Sequence, residues 1–264
     1  LISNIFSKIL QKLRISVKDL KNIIIYVVVI FSFKEFLYQQ CIVPSSSMYP
    51  TLLINDVYML NKWRFGYSNS SFWITRMIEK NMGVKLFNGR IFMFDSIKNG
   101  DVIVFYGRTG EFKDKLLVKR VIGVEGDVIK ISNGFIYVNG NILRHSNFKI
   151  VRIKDKDGEM LAMSMKEVIN LKEYTILKVD MSGSSNVDNV KEFVVPKGKL
   201  FCMGDNRDHS LDCRFSTIGC IDAVDVLGYA SLRIFSFDNT QAKWWEFWNW
   251  RNAIRWDRLL TFVQ

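Results

Sequence analysis

Three consecutive hydroxyls, Ser45, Ser46 and Ser47, stand in the stretch Val43-Pro44-Ser45-Ser46-Ser47-Met48-Tyr49-Pro50-Thr51-Leu52, just after a basic, apolar N-terminal segment. A serine hydroxyl is a weak nucleophile until a neighbouring base takes its proton. The chemistry open to this chain therefore depends on which base it can bring to one of them. There are two histidines, His145 and His209. His145 follows the Asn139-Gly140 turn, where a solvated side chain is expected. His209 lies among carboxylates in Gly204-Asp205-Asn206-Arg207-Asp208-His209-Ser210-Leu211-Asp212 and stays a candidate. Lys119 is the better one. Leu116-Leu117-Val118-Lys119-Arg120-Val121-Ile122 reads as a strand, and alternation puts Lys119 on the same face as Leu117 and Val121. Among aliphatic neighbours an ammonium loses hydration and its pKa falls. A fall of about 2–3 units would make it a base near neutrality. Taken alone, a lysine in such a strand is usually a snorkelling edge residue.

The elements that must hold these groups are mostly strands. Asp56 to Phe65, Val102-Ile103-Val104-Phe105, Leu116 to Gly123, Val128-Ile129-Lys130-Ile131 and Phe135-Ile136-Tyr137-Val138 carry β-branched and aromatic residues, and Asn139-Gly140 is a hairpin turn. Residues 66–90 read as an exposed loop with apolar tips at 72–74 and 85–87. Residues 144–198 are more polar and irregular, with pieces such as Tyr174 to Val179, and read as a second β lobe inserted between 44–143 and 199–240. The fold class is mainly β.

The N-terminus is of another kind. Lys8, Lys12, Arg14, Lys18 and Lys21 precede the apolar run Ile23 to Phe33. As a helix, residues 22–43 would reach about 33 Å, close to the hydrocarbon thickness of a bilayer. The expectation is a basic cytoplasmic segment at 1–21 and a single transmembrane anchor at 22–43, with Lys34 snorkelling and the rest of the chain outside. A cleaved leader shares the basic and apolar regions, but the first alanine is Ala162, so no Ala-x-Ala site follows the run. In residues 241–264, Trp244, Trp245, Phe247, Trp248, Trp250 and Trp256 alternate with Lys243, Arg251, Arg255 and Arg258. That pairing suits a membrane interface, or else an amphipathic helix packed on the β body.

A net charge of +11 calls for an anionic partner. With no C-x-x-C pair, helix-turn-helix pattern or RNP motif, that partner is membrane phospholipid rather than nucleic acid. Cys41, Cys202, Cys213 and Cys220 lack metal-ligand spacing, so neither a zinc site nor any cofactor is expected. A Cys213–Cys220 disulfide is compatible with the spacing; free thiols are the default.

Taken together, the segments have a resemblance. Pro44 to Leu52 resembles the nucleophile box of bacterial type I signal peptidases. Gly100-Asp101-Val102-Ile103-Val104-Phe105 and Lys119-Arg120-Val121-Ile122-Gly123-Val124-Glu125-Gly126-Asp127 resemble the middle boxes, and Gly204 to Arg214 the last. Order and spacing agree. The resemblance implies a signal-peptidase/LexA-like β body behind one transmembrane helix in the bacterial inner membrane, N-terminus cytoplasmic and catalytic body periplasmic. It implies Ser47 as nucleophile, Lys119 as general base, and the Ser45 hydroxyl with the Ser47 N–H as oxyanion hole. Ser210 would hydrogen-bond Lys119; Asp212 with Arg214, and Asp205 with Arg120, would be supporting ion pairs. Val43, Pro44, Met48, Leu52, Leu117, Val118 and Leu211 would shape pockets for small residues of an extended preprotein, delivered by the translocation machinery. The chain departs from the common pattern at Ser46 (often Gly), His209 (Asn), Cys213 (Ser) and Gly219-Cys220-Ile221-Asp222 (Gly-x-Val-Pro). Two other readings remain: a Ser/Lys self-cleaving domain like those attached to repressors, and a non-catalytic, membrane-tethered binding protein of the same fold.

Overall fold

The computed structural model describes residues 16–108, 110–155 and 158–263. Lys8, Lys12 and Arg14 of the expected cytoplasmic segment lie outside the described residues. The chain divides into two units at Tyr38.

The first unit contains helix α1, Val17–Phe36. A capping box opens it: the Ser16 hydroxyl accepts from the Asp19 N–H at 3.0 Å, and the Asp19 carboxylate accepts from the Ser16 N–H at 3.0 Å. Its residues Ile23 to Phe31, with Phe33, are exposed on every side. The helix does not run on to Val43 as expected. After the Leu37 cap the backbone becomes strand β1, Tyr38–Ile42, because here it finds a neighbouring strand to pair with. Lys18, Asp19 and Lys21 stand at the start of α1, Lys34 and Glu35 at its end, and no helix among the described residues is long and apolar enough to cross a membrane.

The second unit, Gln39–Gln264, is mainly β. Its further strands are β2 (Asp56–Asn61), β3 (Val102–Tyr106), β4 (Leu116–Gly123), β5 (Val128–Ser132), β6 (Phe135–Val138), β7 (Asn141–Ile142), β8 (His145–Asp155), β9 (Gly158–Ile169), β10 (Lys172–Lys178), β11 (Val190–Val194), β12 (Lys199–Met203), β13 (Ile221–Asp222), β14 (Val226–Ser236) and β15 (Thr261–Phe262). The largest sheet has the order β1-β2-β14-β3-β4-β12-β13, with β15 paired to β14. A second has the order β10-β9-β8 and a third β11-β5-β6-β7. Asn139 and Gly140 take φ of 53° and 78° in the tight turn between β6 and β7, the left-handed pair that a two-residue hairpin requires.

Strand β4 runs between β3 and β12, so its residues are buried from Val118 onward. Leu117 and Val121 face the larger apolar cluster, with Ile103, Phe105 and Phe201. Val118 faces a smaller one, with Val43, Met48, Leu52 and Leu60. A lysine placed between them has little access to water.

Three stretches differ from expectation. Residues 66–90 contain helix α2, Trp73–Met82, closed by Gly83 at φ 69°, whose N–H bonds the Glu79 carbonyl at 2.9 Å. Arg, Met, Glu and Lys suit a helix and a left-handed glycine ends one, so the stop signal was present. Residues 144–198 are regular: β8, β9 and β10 are long strands paired in one sheet. Met165, Ile169, Tyr174 and Ile176 enter the same cluster as Ile103 and Val121, so the stretch shares the core of the body. The described part of the C-terminal segment, residues 241–263, forms no continuous helix. It holds a four-residue α3, Trp250–Ala253, and single turns, with Trp244, Trp245, Trp248 and Trp256 exposed. The ion pair of Arg258 with buried Asp56, at 2.6 Å, ties this segment to β2.

Candidate active site

The three serines lie on the connection between β1 and β2. Backbone hydrogen bonds from Val43 N–H to Asp56 O (2.9 Å) and Asn55 N–H to Val43 O (3.0 Å) close its ends. Met48 and Leu52, both fully buried, pin its middle. Ser47 is therefore held from behind while its own side chain stays partly open to solvent.

The group that meets it is Lys119. Its Nζ lies 2.7 Å from Ser47 Oγ, across 72 residues of sequence. Lys119 is only 5% exposed. Burial lowers its pKa to about 8, and the nearby carboxylates of Asp212 and Asp205 only partly oppose that fall. Exposed Ser45 places its Oγ 3.5 Å from Ser47 Oγ.

The 204–214 loop forms the other wall. In this loop the Asn206 backbone N–H donates to Ser47 O at 3.1 Å and its Nδ2 donates to Ser46 O at 3.2 Å. Asp212 accepts from Gly204 N–H at 3.0 Å and from Arg214 Nε at 2.9 Å. Burial alone would raise the Asp212 carboxyl, but Arg214, the Gly204 N–H and Lys119 outweigh it and hold it below the ordinary carboxylate value. On the other side of β4, Arg120 forms a two-pronged pair with Asp205, Nε–Oδ1 2.8 Å and Nη2–Oδ2 2.6 Å, with both side chains buried. The Arg120 guanidinium also covers the Tyr174 ring at 3.8 Å.

Several expected placements change. Ser210 does not bond Lys119: its hydroxyl is buried without a hydrogen-bond partner and packs against Gly204. His145 is not solvated; its Nε2 lies 2.8 Å from Glu167. His209 is half-buried on the 204–214 loop, and Lys119 is the base that meets Ser47. All four cysteines are free thiols, and Cys213 Sγ accepts from Cys202 N–H at 3.1 Å. Of the expected pocket residues, Val43, Met48, Leu52 and Val118 share one buried cluster, Leu211 is half-buried and Pro44 exposed. Leu117 lies on the other face of β4, where with Phe105, Ile218, Cys220 and Ile221 it lines a cavity of about 180 Å³. Sequence reasoning assigned no role to Gly204, Asn206 or Arg207. Their signal was membership of the last box; what they touch is set by chain segments far away.

A serine hydroxyl bonded to a buried amine of lowered pKa, on a β scaffold and flanked by a second hydroxyl, is an arrangement in which a serine can be activated without a histidine. Residues 16–235 match the family model "Signal peptidase, peptidase S26". The chain belongs to this family, whose members are serine endopeptidases that cleave signal peptides. It is 29% identical to signal peptidase I of Rickettsia bellii (strain OSU 85-389) over 238 residues, 87% of this chain and 75% of that one. It is 30% identical to signal peptidase I of Rickettsia akari (strain Hartford) over 208 residues, 77% and 73% of the two chains. The crystal structure of a signal peptidase I from Enterococcus faecalis V583 aligns with 51% of this chain and 97% of its own at 20% identity and a TM-score of 0.31.

Proposed function

We propose that this chain removes signal peptides from preproteins through Ser47 and Lys119, and the observation that carries the reading is the 2.7 Å contact between Ser47 Oγ and Lys119 Nζ. In the neutral state the amine accepts the hydroxyl proton as Oγ attacks the scissile carbonyl carbon. The Ser47 N–H and the Ser45 hydroxyl stabilise the resulting oxyanion, a charge absent from the bound substrate. Lys119 then gives its proton to the departing amine, and the C–N bond breaks to leave an ester on Ser47. Water, deprotonated by the same amine, hydrolyses the ester and Ser47 recovers its proton. The two ion pairs on the 204–214 loop support this reading by fixing the wall behind Lys119. An extended substrate would bring small side chains at the first and third positions before the cut against Pro44, Leu211 and the surface above Val43, Met48, Leu52 and Val118. Leu117 would contribute from the neighbouring cavity.

The test is processing of a preprotein with an Ala-x-Ala site by the full chain in detergent and phospholipid, read by the mass of the products. A cut directly after the second alanine is expected; a cut at unrelated positions would count against the reading.

The same reading puts the enzyme at the bacterial inner membrane, N-terminus inside and body outside, where preproteins leave the translocation machinery. The exposed apolar residues of α1 support it, with Lys21 and Lys34 snorkelling from either end. The exposed tryptophans at 244, 245 and 248 would rest the body on anionic lipid. Deleting the C-terminal segment would also remove β15 and buried Val263, so substitution is the cleaner probe. Replacing Trp244, Trp245 and Trp248 by serine in residues 39–264 should weaken binding to phosphatidylglycerol vesicles by about tenfold or more. Unchanged binding would place the lipid contact elsewhere.

A further inference from the structure

Strands β8, β9 and β10 carry none of the segments that resemble a signal peptidase, yet they reach the site through one buried carboxylate. Glu167 on β9 pairs across the sheet with His145 on one side and Tyr174 on the other, so the three form a single cross-strand row. Its side chain is fully buried. His145 Nε2 lies 2.8 Å from Oε2, and the Tyr174 hydroxyl donates to Oε1 at 2.5 Å. The rest of its bonding capacity is taken by Arg207, with Nη1 2.9 Å from Oε2 and Nη2 on Oε1. Desolvation would raise a carboxyl so placed, but Arg207, His145 and Tyr174 outweigh it and keep Glu167 ionised.

Arg207 belongs to the 204–214 loop. Its backbone N–H donates to Leu177 O at 2.8 Å, and Leu177 N–H donates to Asp205 O at 2.9 Å, so the loop is laid along the end of β10. Its carbonyl accepts from Arg214 Nη2, and Arg214 holds Asp212. Tyr174, whose hydroxyl bonds Glu167, also lies under the Arg120 guanidinium that grips Asp205. One carboxylate thus restrains both ends of the loop that faces Lys119 and holds the Ser46 and Ser47 carbonyls.

We propose that Glu167 is a positioning residue for the peptidase reaction, holding the 204–214 loop in register with Ser47 and Lys119 through Arg207 and Tyr174. The inference rests on the Ser47/Lys119 reading above. Glu167 touches neither the substrate nor the reacting atoms. It acts by keeping the nucleophile and its base within bonding reach, and misplacement of reacting groups by about 1 Å can cost a hundredfold in rate.

The experiment compares wild type, Glu167→Gln, the double variant Glu167→Gln/Arg207→Gln, Tyr174→Phe and Ser47→Ala, all as full chains, on the same preprotein. Glu167→Gln should lower kcat by about 10–100-fold with KM within about twofold, and should displace the acid limb of the pH profile. The double variant removes the unpaired buried guanidinium that the single change leaves behind. It should regain thermal stability while kcat stays low. Tyr174→Phe removes one hydrogen bond and keeps the ring under Arg120, so a smaller fall in kcat, about threefold, is expected at unchanged KM; it carries the test if Glu167→Gln does not fold. Recovery of kcat together with stability in the double variant, or wild-type kcat and pH profile in Glu167→Gln, would show a purely structural role and overturn the proposal. Full activity in Ser47→Ala would instead overturn the Ser47/Lys119 reading itself.

Discussion

Lys119→Met is expected to abolish processing and to yield a more stable protein. The loss follows from the contact with Ser47: a thioether cannot take the hydroxyl proton, and removal of a general base lowers a rate by about 10²–10⁴-fold. The gain in stability follows from burial. The folded-state pKa of Lys119, about 8, lies below its ordinary value of 10.5. Between these values the unfolded chain binds the proton and the folded one does not, so this lysine makes stability rise with pH across that window. Below pH 8 the folded protein bears the full penalty of a charged, buried amine, about 3 kcal/mol on a shift of this size. Methionine fills nearly the same volume with no charge. Urea unfolding at pH 7 should therefore favour Lys119→Met, with the gap closing as pH approaches 10.5; equal stability at pH 7 would refute the burial argument. The same value sets the activity profile. The amine must be neutral to act, so kcat/KM rises with pH through a limb near 8. Ser47→Ala loses the activity as completely as Lys119→Met.

Gly204→Ala is expected to cost most of the activity through a single added methyl group. Gly204 lies on the 204–214 loop directly against the nucleophile, and its φ is not left-handed. What it needs is space. A Cβ there would stand well under 3.0 Å from both the Ser47 carbonyl oxygen and the Ser210 hydroxyl. The Ser210 hydroxyl could rotate away, but the Ser210 Cβ, 2.5 Å from the added methyl, and the Ser47 carbonyl cannot, and that carbonyl is already fixed by the Asn206 N–H. Relief must come by separating the loop from the nucleophile, which also draws Asp212 away through its bond to the Gly204 N–H. A fall in kcat of about a hundredfold, with about 1–3 kcal/mol of lost stability, is the expected result. Adding Ser210→Ala removes the clash with the hydroxyl and leaves those with the Ser210 Cβ and the Ser47 carbonyl. The double variant should regain part of the stability and little of the activity; full recovery of activity would show that Ser210, and not the Ser47 carbonyl, is the close neighbour that matters.

Much of this site could be read without coordinates because it depends on short-range rules. Alternation along Leu116–Gly123 placed Lys119 on one face with Leu117 and Val121, and the strand has those bounds. Asn139-Gly140 named its own turn. Other features depended on partners the local sequence does not name. Residues 144–198 look irregular because exposed Phe148, Ile150 and Leu161 and buried Glu167 and Lys178 blur the alternation, while Met165, Ile169, Tyr174 and Ile176 are buried against segments far away. His145 follows an Asn-Gly turn, yet the next strand sets Glu167 beside it. Ser210 carries a hydroxyl that could reach an amine, but packing aims it at Gly204. The helix before Ser47 ends at Phe36 although apolar residues continue, because pairing with a neighbouring strand satisfies the backbone from Tyr38 onward.

The sequence by itself determined the inventory and the local geometry: a serine loop after an apolar segment and a lysine inside an aliphatic strand; the two acid–arginine pairs were implied by the family resemblance. Alternation and turn chemistry act over a few residues and are written into them. Only the tertiary structure decided that Lys119 is dry, how closely it meets Ser47, that Gly204 lies against the Ser47 carbonyl, and that Glu167 bonds Arg207 of the same loop. Desolvation and close approach are properties of space around a group, and here that space is filled by strands and loops from distant parts of the chain.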